Sequence, residues 1–163
     1  MVVRPVAEAD CGAPAIVSPR RAPGTPFTPR FLGVGLERDQ VETQLPSLAS
    51  APASARAFLR EALRTWALDG LGETVELLTG ELVSNVVRHV DAPMTLRAIV
   101  GPSAVRVEVA DPSPVPPVAP PTDLLAQRGR GLMLVDALAS RWGTELTTSG
   151  KTVWFEIDKG TMT

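Results

Sequence analysis

Glu81, Asn85 and His89 stand four residues apart in the run Glu81-Leu82-Val83-Ser84-Asn85-Val86-Val87-Arg88-His89-Val90. At about 3.6 residues per turn, this spacing raises the three side chains along one flank of a helix. Val75, Leu78, Leu82, Val86 and Val90 fall on the adjoining face as an apolar stripe. A carboxylate there can take a proton from a nucleophile, and a carboxamide oxygen can hold a hard cation such as Mg²⁺. The alternative is a helix whose polar flank simply faces water.

Two later segments add to this motif. In Val105-Arg106-Val107-Glu108-Val109-Ala110-Asp111, apolar and other residues alternate, which predicts a half-buried strand ending in an acid. Pro112-Ser113-Pro114 follows, so Asp111 could equally be a turn-initiating residue. In Arg128-Gly129-Arg130-Gly131-Leu132, a glycine-rich turn opens into an apolar helix. Backbone N–H groups at such a helix start favour a phosphate, although glycines in this position are often only turn chemistry.

In this order the segments resemble the GHKL (Bergerat-fold) ATPases, a group that includes histidine kinases, gyrase-type ATPases and MutL. Within that group the chain looks most like the RsbW/SpoIIAB-type anti-sigma-factor serine/threonine kinases. Glu81 to His89 matches the N box, Asp111 the first glycine box, and Gly129 to Leu132 the second. Gly150-Lys151-Thr152-Val153-Trp154 matches the strand that closes on the adenine, and the resemblance spans roughly residues 42–158. The first box departs from Asp-x-Gly-x-Gly: Asp111-Pro112-Ser113-Pro114 has no glycine, a pattern many anti-sigma-type members share.

The resemblance implies ATP and Mg²⁺ as cofactors. It assigns the general base to Glu81, the metal ligand to Asn85 and the adenine amino group to Asp111. Gly129, Arg130, Gly131 and Leu132 would border the phosphates, and Thr152 would hydrogen-bond near the adenine and Asp111. Arg88 and His89 fit a nucleotide contact and a helix-end cap equally well. The implied partners are a sigma factor and a STAS-type antagonist phosphorylated on Ser or Thr, with a homodimer as the expected assembly. A nucleotide-sensing module that transfers no phosphoryl group is the alternative.

The elements that must position these residues are legible from periodicity. Residues 1–40 are proline-rich and read as an irregular leader, residues 41–158 as the ATPase domain, and residues 159–163 as a tail. Val41 to Leu45 reads as an edge strand. Ala53 to Trp66 reads as a helix with Arg56, Arg60 and Arg64 on a solvated face. Glu73 to Val90 carries the motif helix. Met94 to Val100 and Ala104 to Ala110 form a hairpin, and the prolines of residues 112–127 forbid regular structure and mark the lid. Leu132 to Leu138 predicts a helix, and Trp142 to Asp158 a second hairpin turning at Ser149-Gly150. The expected fold is α+β, a two-layer α/β sandwich with a mostly antiparallel sheet and helices on one face. Trp66, Trp142 and Trp154 suit a core better than a ligand platform.

Composition narrows the function. The formal net charge is −2 over 163 residues, and the 16 basic residues form no dense run, so direct nucleic-acid binding has no electrostatic support. Cys11 is the only cysteine and His89 the only histidine, which excludes an internal disulfide and the usual multi-His zinc sites. No apolar run approaches the ~20 residues of a membrane span, and no uninterrupted signal-type core is evident, so the expected location is cytoplasmic.

Overall fold

The computed structural model describes residues 40–115 and 130–160, with the side chains of 130 and 131 excepted. The leader, most of the expected lid and Gly129 lie outside the described residues. Five strands form one sheet in the order β1 (Gln40–Leu45), β2 (Met94–Val100), β3 (Ala104–Asp111), β5 (Gly150–Asp158), β4 (Arg141–Thr147). Every neighbouring pair is antiparallel. The helices are α1 (Ala51–Thr65), α2 (Gly72–His89) and α3 (Arg130–Leu138), with a short 3₁₀ turn at Asp69–Leu71 before α2.

Local features mark the start of α1 and the ends of α1 and α2. Pro52 stands in the first turn of α1, where its fixed φ suits a helix and its missing N–H costs nothing. That helix stops where Ala67 enters the left-handed region at φ 55°, and the Leu68 N–H then reaches back to the Leu63 carbonyl at 2.8 Å. Asp91 ends α2 in the same way, at φ 50°, with its N–H on the Val86 carbonyl at 2.9 Å. Ser47 Oγ donates to Asp91 Oδ1 at 2.8 Å and ties this corner to the chain after β1.

The core lies between the helices and one face of the sheet. Val75, Leu78, Leu82, Val83 and Val86 of α2 are all buried in it. From the sheet come Leu96 and Ala98 of β2, Val105, Val107 and Val109 of β3, and Val153, Phe155 and Ile157 of β5. Strand alternation puts every one of these on the same side, and Asp111 and Lys151 share their parity. The motif helix α2 contacts α1, α3 and β3, which explains why its buried arc is wider than a single stripe. Among the described residues no helix is long and apolar enough to cross a membrane.

Arg60 and Arg64 of α1 are solvated, as expected, and Arg60 in addition donates to both oxygens of Glu76 at 3.0 and 2.7 Å, joining α1 to α2. This pairing holds the Arg60 guanidinium above its ordinary pKa, first through the hydrogen bond and then through charge. One expectation changes: the polar face of β3 is largely removed from solvent, with Arg106 buried and Glu108 and Ala110 half-buried. An ion-pair ladder crosses all five strands there, from Glu42 through Arg97, Glu108, Arg106 and Glu156 to Arg141 and Asp158. Trp154 lies on this face, outside the core, with the Arg106 guanidinium 4.1 Å from its ring centroid.

Candidate functional site

The topology brings the end of β3 beside the start of β5. The chain leaves the sheet at Asp111, returns through α3 and the edge strand β4, and enters β5 at Gly150. Because β3 and β5 are antiparallel, Asp111 pairs in register with Lys151, and Gly150 lies just beyond. Gly150 has φ +148°, a conformation that L-residues rarely adopt. A Cβ at this position would overlap the Asp111 carbonyl oxygen and come within 2.6 Å of Pro112 Cα.

Asp111 is buried, and its two carboxylate oxygens have different surroundings. Oδ1 accepts from Lys151 Nζ at 3.0 Å and from the Ser113 N–H at 2.8 Å. The second bond is an Asx turn, continued by Ser113 Oγ accepting from the Val115 N–H at 3.2 Å. These side-chain bonds organise the Pro-Ser-Pro segment without any glycine. The turn-initiating role of Asp111 is therefore real, and it occupies only one oxygen.

Oδ2 has no partner. Three buried side-chain polar atoms among the described residues share that condition: Asp111 Oδ2, Thr79 Oγ1 and Trp154 Nε1. Thr79 sits inside α2, and Trp154 lies under Arg106 on the outer face. Asp111 alone stands where a strand ends and a loop begins, and an orphaned carboxylate oxygen is the costliest of the three to leave unbonded. A ligand N–H₂ would satisfy it, because a carboxylate offers only acceptors.

On α2, Glu81 and Asn85 are half-buried, whereas Arg88 and His89 are exposed. Arg88 Nε bends back toward the Ser84 carbonyl at 3.4 Å. Among the described residues no three His, Cys, Asp or Glu side chains converge as a metal cage. A hard cation at Asn85 would therefore draw the rest of its shell from a bound phosphate and water, as Mg²⁺ commonly does.

The second glycine-rich segment enters α3 earlier than its apolar pattern predicts, since Arg130 and Gly131 already belong to the helix. Leu132 is buried in the core cluster with Val135 and anchors that first turn. Gly129 and the Arg130 side chain lie outside the described residues.

The structure does not bring Thr152 to Asp111. Thr152 pairs with Ala110, and alternation turns it to the outer face with Trp154 and Glu156. Lys151 takes the facing position instead. Its parity with Val153, Phe155 and Ile157 is the signal in the sequence that locates it.

Residues 45–157 match the family described as the histidine kinase-like ATPase domain. A protein from Streptomyces coelicolor, itself described as uncharacterized, is 46% identical over 70 residues, covering 40% of this chain and 67% of the relative.

Proposed function

The chain belongs to the histidine kinase-like ATPase domain family, an ATP-binding fold, and from that premise we propose that it is an anti-sigma-type regulator with serine/threonine kinase activity. The observation that carries the nucleotide site is Asp111 Oδ2, a buried acceptor with no protein donor, at the position where the family reads adenine. The kinase reading is supported by the placement of Glu81 and Asn85 one turn apart on a helix packed against β3.

In this reading Asn85 would hold Mg²⁺ through its amide oxygen, and the ion would supply positive charge among the phosphate oxygens. Glu81 takes the proton of a Ser or Thr hydroxyl on a STAS-type antagonist. The hydroxyl oxygen bonds to the γ-phosphorus, the bridging P–O bond breaks, and ADP leaves with the electron pair. The new phosphate carries up to about two negative charges into the antagonist's interface and weakens it there. The unphosphorylated antagonist and a sigma factor would then compete for this domain.

The test combines calorimetry with phosphotransfer from γ-labelled ATP to STAS-type antagonists. Wild-type protein should bind ATP in a Mg²⁺-dependent manner and label the antagonist. Glu81→Gln should keep ATP binding and lose labelling by about 10²–10⁴-fold, and Asn85→Ala should lose the Mg²⁺ dependence. Labelling that survives Glu81→Gln would remove Glu81 as the base. ATP binding that alters partner affinity without any labelling would make the protein a sensor instead of a kinase.

A further inference from the structure

Lys151 is the one buried ammonium at the nucleotide end of the sheet, and it has no counterpart in the roles assigned above. It is 5% exposed, and its Nζ donates to Asp111 Oδ1 at 3.0 Å. An ammonium has three donors, and one is used in that bond. Beside it, across the same carboxylate, is the unbonded acceptor Oδ2. The strand ends therefore present a donor and a free acceptor side by side, on the helix-covered face of the sheet.

We propose that Lys151 reads the purine edge together with Asp111, its ammonium donating to ring nitrogen N1 while Asp111 Oδ2 accepts from the 6-amino group. This inference rests on the nucleotide-binding reading given above. Adenine offers a donor at the 6-amino group next to an acceptor at N1, and recognition of a base by this edge is a general mode. Guanine reverses the polarity at both positions, with an acceptor at O6 and a donor at N1–H. The protein groups are not free to exchange places. Register fixes Lys151 across from Asp111, and the Ser113 N–H on Oδ1 at 2.8 Å fixes the orientation of the carboxylate. Lys151 is thus a specificity-determining residue as well as a counter-ion.

The competing account is that Lys151 only neutralises a buried Asp111. The two separate in calorimetry of the full chain with ATP, GTP and 1-deaza-ATP, which keeps the amino group and replaces N1 with C–H. A hydrogen bond from a charged donor predicts that wild-type protein binds 1-deaza-ATP roughly ten- to a hundredfold more weakly than ATP, with GTP weaker still. Lys151→Met should bind ATP and 1-deaza-ATP within about twofold of each other, since it has no donor to lose. Lys151→Val provides a smaller donor-free replacement should Lys151→Met fail to fold.

Equal affinity of the wild-type protein for ATP and 1-deaza-ATP would overturn the role of Lys151 and leave the ATP site standing. Discrimination that persists in Lys151→Met would also overturn it, assigning the N1 contact to another donor. Absence of ATP binding to the wild-type protein would overturn the nucleotide reading and this inference together.

Discussion

Replacing Gly150 with alanine tests the geometry of the β3–β5 junction directly. A Cβ at that position would overlap the Asp111 carbonyl oxygen and lie 2.6 and 2.8 Å from Pro112 Cα and C. All three are backbone atoms, so no side-chain rotation can relieve the overlap. The native φ of +148° adds a conformational cost of about 1–3 kcal/mol for an L-residue. Overpacking against an immobile neighbour adds about 1–3 kcal/mol. The smaller entropy of the unfolded Ala chain returns roughly 0.4–1 kcal/mol. Gly150→Ala should therefore lose about 1–5 kcal/mol of stability, a fall in Tm of roughly 3–15 °C. Urea unfolding followed by tryptophan fluorescence would measure it, and ATP affinity should fall as Asp111 is pushed away from Lys151. Two other glycines separate the causes. Gly70→Ala meets nothing within 4 Å and should change stability by less than about 0.5 kcal/mol. Gly160 has φ +74° but open space around it, so Gly160→Ala should carry only the conformational cost, about 1 kcal/mol. A Gly150→Ala protein as stable as Gly70→Ala would refute the register that places Lys151 opposite Asp111.

Further outcomes follow from the buried charges. Asp111→Ala leaves Lys151 buried without its partner and should cost about 3–5 kcal/mol, whereas Asp111→Leu combined with Lys151→Met should recover most of that loss. Additive single and double variants in urea denaturation would show that the two groups are not coupled. On the outer face, Glu156 is 1% exposed and receives both Arg106 and Arg141; Glu156→Ala should lose about 3 kcal/mol. Glu145 reaches the same Arg106 at 3.3 Å from a side chain that is 46% exposed, and Glu145→Ala should lose less than about 1 kcal/mol. Equal losses at these two positions would mean that burial does not set the strength of the ladder.

Which of these features the sequence reveals depends on whether they are local. The apolar spacing of Val75, Leu78, Leu82 and Val86 is a property of one helix, and all four are buried as their period requires. The alternation in β3 likewise predicts which of its residues face the helices. What alternation does not show is the state of the other face. Arg106 and Glu108 look solvated in sequence, yet their partners Glu156, Glu145 and Arg97 come from other strands, and only the register brings them together. The clamp between Arg60 and Glu76 is hidden for the same reason, since it depends on how α1 crosses α2. Position 151 is a different case. By residue type Thr152 is the more familiar neighbour for a base, but phase governs a strand, and Val153, Phe155 and Ile157 set that phase in plain view. Counting back from them places Lys151 on the core side and Thr152 on the outer side.

The two faces of the sheet handle their buried carboxylates differently, and in the nucleotide reading proposed above this separates binding from scaffolding. On the outer face, every carboxylate of the ladder meets a guanidinium, and its role is complete within the protein. At the helix-side end of β3 and β5 the same chemistry is left unfinished. One oxygen of Asp111 is bonded twice and the other not at all, at a turn that excludes any side chain from position 150. An unbonded buried acceptor lowers the stability of the free protein by about 1–3 kcal/mol. A ligand that supplies the missing donor removes that penalty, and mass action then adds its own stabilisation, about 2.7 kcal/mol at a hundredfold excess over Kd. In the proposed nucleotide site, the imbalance at Asp111 would couple occupancy to the stability of the β3–β5 junction. Because Oδ1 of the same carboxylate holds the Ser113 N–H, a donor arriving at Oδ2 draws on the group that shapes the first residues of the following loop. In the proposed nucleotide-bound state, occupancy of Oδ2 would act on the same side chain that shapes the turn from Asp111 to Val115.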